Sequence, residues 1–204
     1  MRKYIPEWAK LVPKEAKKVF SGVIYDVYQW PQEMFDGSVQ TFEMLGRPDT
    51  VKILAVLSEE EAKQLKNAQV SKKPGPKIII TKQEQPRKDC FYDYSGGRMD
   101  TDDADELAAA KRELLEETGL KMKNWKLIRV EQPFSKTDWL VYTFLATGLS
   151  EQVAQSLDAG EKIELVAMSF DEAVELAKTP ESRFLEEEFD NIEKLQAIPE
   201  LYKY

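Results

Sequence analysis

One stretch limits the possible folds of this chain more than any other. It runs from Ser95-Gly96-Gly97 through Asp102-Asp103-Ala104-Asp105 to Lys111-Arg112-Glu113-Leu114-Leu115-Glu116-Glu117-Thr118-Gly119-Leu120. Glycines open it and a glycine closes it, and Gly119 stands where a helix stop belongs. At 3.6 residues per turn, Glu113, Glu116 and Glu117 project from neighbouring positions. Three carboxylates so placed repel one another unless a cation lies between them. Oxygen-only ligands suit hard divalent ions, Mg²⁺ or Mn²⁺, better than zinc. A Glu-rich helix with no such role would be a solvated face, where a pair such as Arg112 and Glu116 is worth only ~0.2–0.5 kcal/mol. The glycine-rich entry and the glycine exit favour the metal site.

Composition narrows the chemistry. Not one histidine occurs in 204 residues, which removes imidazole catalysis and imidazole ligation and leaves carboxylates as the acid–base groups. A net charge of −8 argues against nonspecific attraction to nucleic acid or to anionic membrane. Cys90 is the only cysteine, so no intrachain disulfide can form, as suits a reducing compartment. Its expected role is that of a small buried hydrophobe. The apolar runs Ile53–Leu57 and Ile78–Ile80 are strand-length, too short to span a bilayer. The N-terminus does not read as a signal peptide, and the expected location is cytoplasmic.

Residues 19–47 read as β structure, with Val23, Tyr25, Val27 and Gln29 alternating against Ile24, Asp26, Tyr28 and Trp30. Asp36-Gly37 marks a turn before Thr41–Leu45. This unit, residues 1–49, is too small to be stable alone. Thr50–Leu57 reads as a buried strand, and Ser58 with Glu61 as a capping box for a short helix. Residues 67–77 read as an exposed loop and Lys77–Lys82 as a strand. Further strands are expected at Trp125–Glu131, Leu140–Thr147 and Lys162–Phe170, with 132–139 as a loop. Asp171 is expected to cap one helix and Thr179-Pro180-Glu181 to begin another, whose Phe184, Leu185, Phe189, Ile192 and Leu195 keep helical spacing. Strands alternating with helices imply an α/β fold with a mixed sheet covered on both faces.

The segment from Gly97 to Leu120 closely resembles the Nudix box, the signature of hydrolases that cleave nucleoside diphosphates linked to another moiety. Gly97 and the block Arg112–Leu120 carry the resemblance. One departure is plain: fourteen residues separate Gly97 from Arg112, one more than the family pattern has, and Ala104 stands where the family has a glutamate. Asp103 or Asp105 can stand in for it. Residues 19–170 are similar to the ADP-ribose pyrophosphatase branch. The matches are Phe42–Val51 with Arg47, Glu84-Gln85-Pro86-Arg87, and Pro133 fourteen residues past Gly119. The resemblance implies an α/β/α sandwich with a mixed sheet over residues 50–204, preceded by a small N-terminal β domain.

It also implies a site. Glu113, Glu116 and Glu117 would hold the divalent cation, with the Gly96 carbonyl beside them and Arg112 alongside in the box. Asp93, four residues before Gly97, falls where the branch has a glutamate bordering metal and substrate. Arg87 would clamp a phosphate oxygen, for which a guanidinium fork is well shaped. Arg47 would contact the adenine or the phosphates, Tyr28 or Trp30 would stack on the base, and Pro133 would border the substrate. The branch supplies its general base from a loop before a late strand, where Glu161 and then Glu164 stand here. The N-terminal unit implies a homodimer, because in this branch it exchanges between subunits and helps build the base pocket.

The reading is Mg²⁺-dependent (or Mn²⁺-dependent) hydrolysis of the diphosphate of ADP-ribose or a related nucleoside diphosphate sugar. Two alternatives stay open. One keeps the chemistry on another nucleotide, such as GDP-mannose, a dinucleoside polyphosphate or a nucleoside triphosphate. The other is a catalytically degenerate domain that binds a nucleotide as a sensor.

Overall fold

The computed structural model describes residues 1–184 and 191–204. Strands β1 (Lys17–Ser21), β2 (Asp26–Glu33) and β3 (Val39–Gly46) form an antiparallel meander. Its turn at Gly37 has φ of +81°, a backbone conformation that favours glycine. The expected continuous strand through residues 22–25 is instead broken. The Gly22 amide donates to the Tyr25 carbonyl at 2.9 Å, which closes a tight turn and leaves Val23 fully exposed. The period-2 pattern continued across residues that are not paired to any strand, so alternation alone could not reveal the break.

The main sheet begins at β4 (Thr50–Leu57), whose bounds agree with the sequence reading. The short helix α1 (Glu59–Ala62) follows with the Ser58–Glu61 capping box in place. Next come β5 (Ala68–Val70), β6 (Lys77–Gln85), β7 (Lys88–Asp93), β8 (Ser95–Arg98), helix α2 (Glu106–Thr118) and β9 (Leu120–Glu131). Then follow β10 (Thr137–Asp138), β11 (Val141–Gln152), β12 (Lys162–Met168) and helices α3 (Phe170–Ala177) and α4 (Ile192–Ala197). The order across the sheet is β5-β12-β6-β4-β11-β9, with β7 on β6 and β8 on β4. It is mixed: β4 runs parallel to β11 and antiparallel to β6.

Alternation along β4 explains the layers. Val51, Ile53, Ala55 and Leu57 join a core with Ala109, Ala110 and Leu114 of α2. Leu54 and Val56 face the opposite way, onto Phe170 and Ala173 of α3 and Leu195 of α4. A strand apolar on both faces must be covered on both faces, and an α/β/α sandwich results. The N-terminal meander docks beside it through β10, which pairs in parallel with β3 at Leu45 and Gly46.

Several boundaries differ from expectation. Residues 67–77 contain β5, an edge strand held by pairing with β12 at Leu165–Ala167, so its stability comes from a partner remote in sequence. The loop 132–139 contains β10 for the same reason. Ser169 rather than Asp171 caps α3, with Glu172 completing a capping box. Thr179–Phe184 does not begin a helix. A turn there leads to a bridge between Ser182 and Tyr92, and α4 is capped by Asn191. Leu185 and Phe189 lie outside the described residues. Among the described residues no helix is long and apolar enough to cross a membrane.

Candidate active site

Helix α2 starts and stops where its sequence dictates. The Asp105 side chain accepts the Ala108 amide at 2.8 Å, and Gly119 closes the helix at φ of +72°. Its buried small residues Ala109 and Ala110 let the helix approach the sheet closely. On the remaining face stand Arg112, Glu113, Glu116 and Glu117. Strand β8 passes beneath them. At Gly97 a Cβ would lie 2.6 Å from the Glu113 carboxylate, so any larger residue would displace that side chain. At Gly96 a Cβ would collide with the Val51 carbonyl, and its own amide donates to Glu117 Oε2 at 2.9 Å.

Arg112 organises this face. Nε and Nη2 donate to the two oxygens of Asp103 at 3.1 and 2.8 Å, and Nη2 also reaches the Arg98 carbonyl at 3.0 Å. Nη1 donates to Glu113 at 2.9 Å and to Glu116 at 3.0 Å. Asp103 is therefore the partner of Arg112, and Asp105 is the helix cap. The Arg112 hydrogen bond is also the main reason the Asp103 carboxyl is held below the usual carboxylate range. The extra loop residue is accommodated by a turn in which the Asp100 amide donates to Asp103 Oδ2 at 2.8 Å.

The two inner glutamates behave differently. Burial pushes Glu113 up to about 7, against the pull of Arg112, and pushes Glu117 up to about 8. Both effects grow from the neighbouring acids, since Glu113, Glu116 and Glu161 repel further negative charge. Anionic oxygens buried beside glycine backbone suit a hard divalent cation. The donor set therefore fits such an ion. As the side chains stand, no three carboxylates among the described residues converge on one point. A cation would compete with Arg112 for Glu113 and Glu116 and with the Gly96 amide for Glu117.

A cleft of about 510 Å³ opens over these acids. It brings together Arg47, Gly96, Arg112, Glu113, Glu116, Glu117 and Glu161. The loop bearing Glu161 is fixed to the helix, because the Ser156 amide donates to the Glu116 carbonyl at 2.9 Å. Other predicted residues lie elsewhere. Arg87 sits at the tip of the β6–β7 hairpin with φ of +64°, beside Gln85 and Lys88, which do line the cleft. Asp93 is largely buried on β7, where Lys52 approaches at 3.3 Å and burial raises its carboxyl. Tyr28 lines a separate groove with Arg47 and Asp138. Trp30 packs edge-on against Phe42 at 5.9 Å. Glu164 pairs with Lys82 at 3.4 Å, and Pro133 is outside the cleft lining.

Sequence reasoning missed the aromatic setting of Arg47. Its guanidinium carbon lies 4.3 Å from the centre of the Trp139 ring and 5.6 Å from that of Tyr25. Its Nε is buried with no hydrogen-bond partner among the described residues. Trp139 in turn stacks on Phe134 at 6.0 Å. Trp139 and Phe134 sit more than ninety positions after Tyr25, and no local pattern links them.

Comparison with known proteins decides the family. The NUDIX domain matches residues 48–188. The chain belongs to the Nudix family. A relative is the ADP-ribose pyrophosphatase of Bacillus subtilis (strain 168), 28% identical over 177 residues and aligned over 84% of each chain. The fold is also that of a solved structure described as an ADP compounds hydrolase, with a TM-score of 0.57 at 16% identity, covering 93% of this chain and 92% of that one. Within the matched domain, the Gly97–Leu120 segment keeps Glu113, Glu116 and Glu117 and pairs Arg112 with Asp103.

Proposed function

We propose that this Nudix protein hydrolyses the diphosphate of ADP-ribose, or of a related nucleoside diphosphate sugar, with Mg²⁺ as cofactor. One observation carries the reading. A single cleft is lined by the acids Glu113 and Glu117, by the cations Arg47 and Lys88, and by the ring of Tyr25. That arrangement suits a ligand with a charged diphosphate in the middle and an aromatic base at one end. The similarity to a named ADP-ribose pyrophosphatase points to the same substrate class.

The roles follow from position. Glu113, Glu116 and Glu117 would hold the cation, which when bound neutralises phosphate charge and acidifies a water. Arg47, whose Nε has no hydrogen-bond partner among the described residues, and the hairpin cation Lys88 would hold phosphate oxygens, with Arg87 beside it at the hairpin tip. Tyr25, which lines the cleft, would stack on the base, and Trp139 would back the Arg47 guanidinium. Glu161 faces the cleft whereas Glu164 is engaged by Lys82, which supports Glu161 as the group that takes the proton from the attacking water. The water oxygen bonds to one phosphorus as the bridging P–O bond breaks, giving AMP and ribose 5-phosphate from ADP-ribose. Arg112 is fully occupied within the box and serves to place Glu113 and Glu116.

A homodimer accompanies this reading. The N-terminal meander exposes Phe20 and Val39 on one face of its sheet, apolar positions that a second copy would cover. Division at about residue 49 into this unit and the catalytic domain is part of the same proposal. The intact acids and the Asp103–Arg112 pair support an enzyme over a sensor. The test is hydrolysis of a panel with Mg²⁺: ADP-ribose, GDP-mannose, UDP-glucose, diadenosine polyphosphates and nucleoside triphosphates. AMP formed chiefly from ADP-ribose supports the reading, and preference for another member assigns that substrate instead.

A further inference from the structure

Glu106 is the first residue of α2, fully buried, and outside the cleft lining. Its carboxylate is surrounded by donors from both ends of the chain. Oε1 accepts the backbone amides of Lys3 at 2.6 Å and Tyr4 at 3.1 Å, and Oε2 accepts the Tyr204 hydroxyl at 3.2 Å. The contacts around it form one connected body. The Tyr142 hydroxyl donates to the Tyr4 carbonyl at 2.9 Å, Tyr4 packs on Tyr202 at 5.6 Å, and Tyr204 packs on Phe144 at 5.6 Å. Next to it, Arg2 Nη2 donates to Asp49 Oδ1 at 2.7 Å, and the Asp49 carbonyl accepts the Met99 amide at 2.8 Å. The loop from Met99 to Asp105 is therefore held at both ends: at Met99 through Asp49 and Arg2, and at Glu106 by Lys3, Tyr4 and Tyr204.

We propose that Glu106 is a positioning residue for the Nudix box, through which residues 2–4 and Tyr204 set the loop that carries Asp103. A charged group buried this deeply is tolerated only when its oxygens are satisfied, so its partners are fixed in place with it. Asp103 grips Arg112, and Arg112 grips Glu113 and Glu116. A shift at the start of α2 is passed along this chain of contacts to the acids of the cleft. Glu106 touches neither substrate nor cation and acts only through its neighbours.

The experiment compares Glu106→Ala and Glu106→Gln with Leu195→Ala, a buried change in the opposite core. The readouts are hydrogen exchange at Met99, Asp100 and Asp103, and kcat and KM per folded molecule. Glu106→Ala should speed exchange at those three amides about tenfold or more, while leaving β4 unaffected. It should lower kcat about tenfold with KM changed less than about twofold. Glu106→Gln keeps an acceptor for Lys3 and Tyr4 and should remain within about twofold of wild type on each measure. Leu195→Ala should lower stability without moving kcat per folded molecule. The proposal is overturned if Glu106→Ala leaves exchange at those amides unchanged, or if its effects match those of Leu195→Ala. Should Glu106→Ala fail to fold, Tyr204→Phe removes one donor and keeps the ring. It should speed exchange about threefold, and no change there overturns the proposal. The inference rests on the hydrolase reading only for kcat and KM, so the exchange result stands even if the substrate is a different one.

Discussion

Arg112 and Asp103 form a two-point ion pair, Nε to Oδ1 at 3.1 Å and Nη2 to Oδ2 at 2.8 Å, across nine positions of the chain. The pair ties the loop before α2 to the acids upon it. Asp103 is nearly buried and Arg112 about a quarter exposed, so the pair is only partly shielded from water. Removing one partner leaves the other charge uncompensated, which costs more than losing an exposed pair. Asp103→Ala should lower the unfolding free energy by roughly 2 kcal/mol in urea and reduce kcat at least about tenfold. Asp105→Ala should cost about 1 kcal/mol as a lost helix cap and leave kcat near wild type.

The raised acids make a signed prediction about pH. For a carboxyl whose folded value lies above its unfolded value, the folded state binds the proton more tightly. No penalty exists below the unfolded value of 4.5; it grows as pH rises and levels off above the folded values of about 7 and about 8. Metal-free protein should therefore lose stability steadily between about pH 5 and pH 8.5, on the order of a few kcal/mol, seen as a falling Tm. Mg²⁺ should flatten this dependence, because a bound cation stabilises the ionised form. A metal-free Tm that rises over the same window would contradict the burial argument.

Tyr25 and Arg47 have separable signatures. Tyr25→Ala should raise KM for ADP-ribose about tenfold and leave hydrolysis of a diphosphate without a base nearly unchanged. Arg47→Ala should raise KM for both. Equal effects of Tyr25→Ala on the two substrates would show that the ring does not serve the base.

The apolar meander bears on assembly. Phe20→Glu and Val39→Glu introduce charge into exposed apolar positions on one face and should shift a dimer to monomer in light scattering. A wild-type monomer at micromolar concentration would remove the basis for a shared base pocket.

The parts of this protein that were legible in sequence are those fixed by local chemistry. Gly119 ends α2, Ser58 and Glu61 cap α1, and the apolar run Ile53–Leu57 of β4 requires cover on both faces. What escaped was set by remote partners. Ala68–Val70 is a strand because Leu165–Ala167 lies beside it, and Trp139 matters because the chain returns it to Arg47. Ser169 was within reach, since Ser169 and Glu172 repeat the capping-box spacing found at Ser58 and Glu61. Asp103 and Asp105 could not be told apart by spacing, because only the folded loop shows which of them Arg112 meets.

The most direct test of the account is ADP-ribose turnover across a Mg²⁺ titration, wild type against Glu117→Gln, with Tm measured in parallel without metal. The account predicts Mg²⁺-dependent release of AMP by the wild type and a loss of at least about a hundredfold in the variant. It also predicts that the variant, freed of a buried acid, is at least as stable as the wild type at pH 8. Undiminished turnover by Glu117→Gln, or wild-type turnover indifferent to removal of divalent ions, would contradict it.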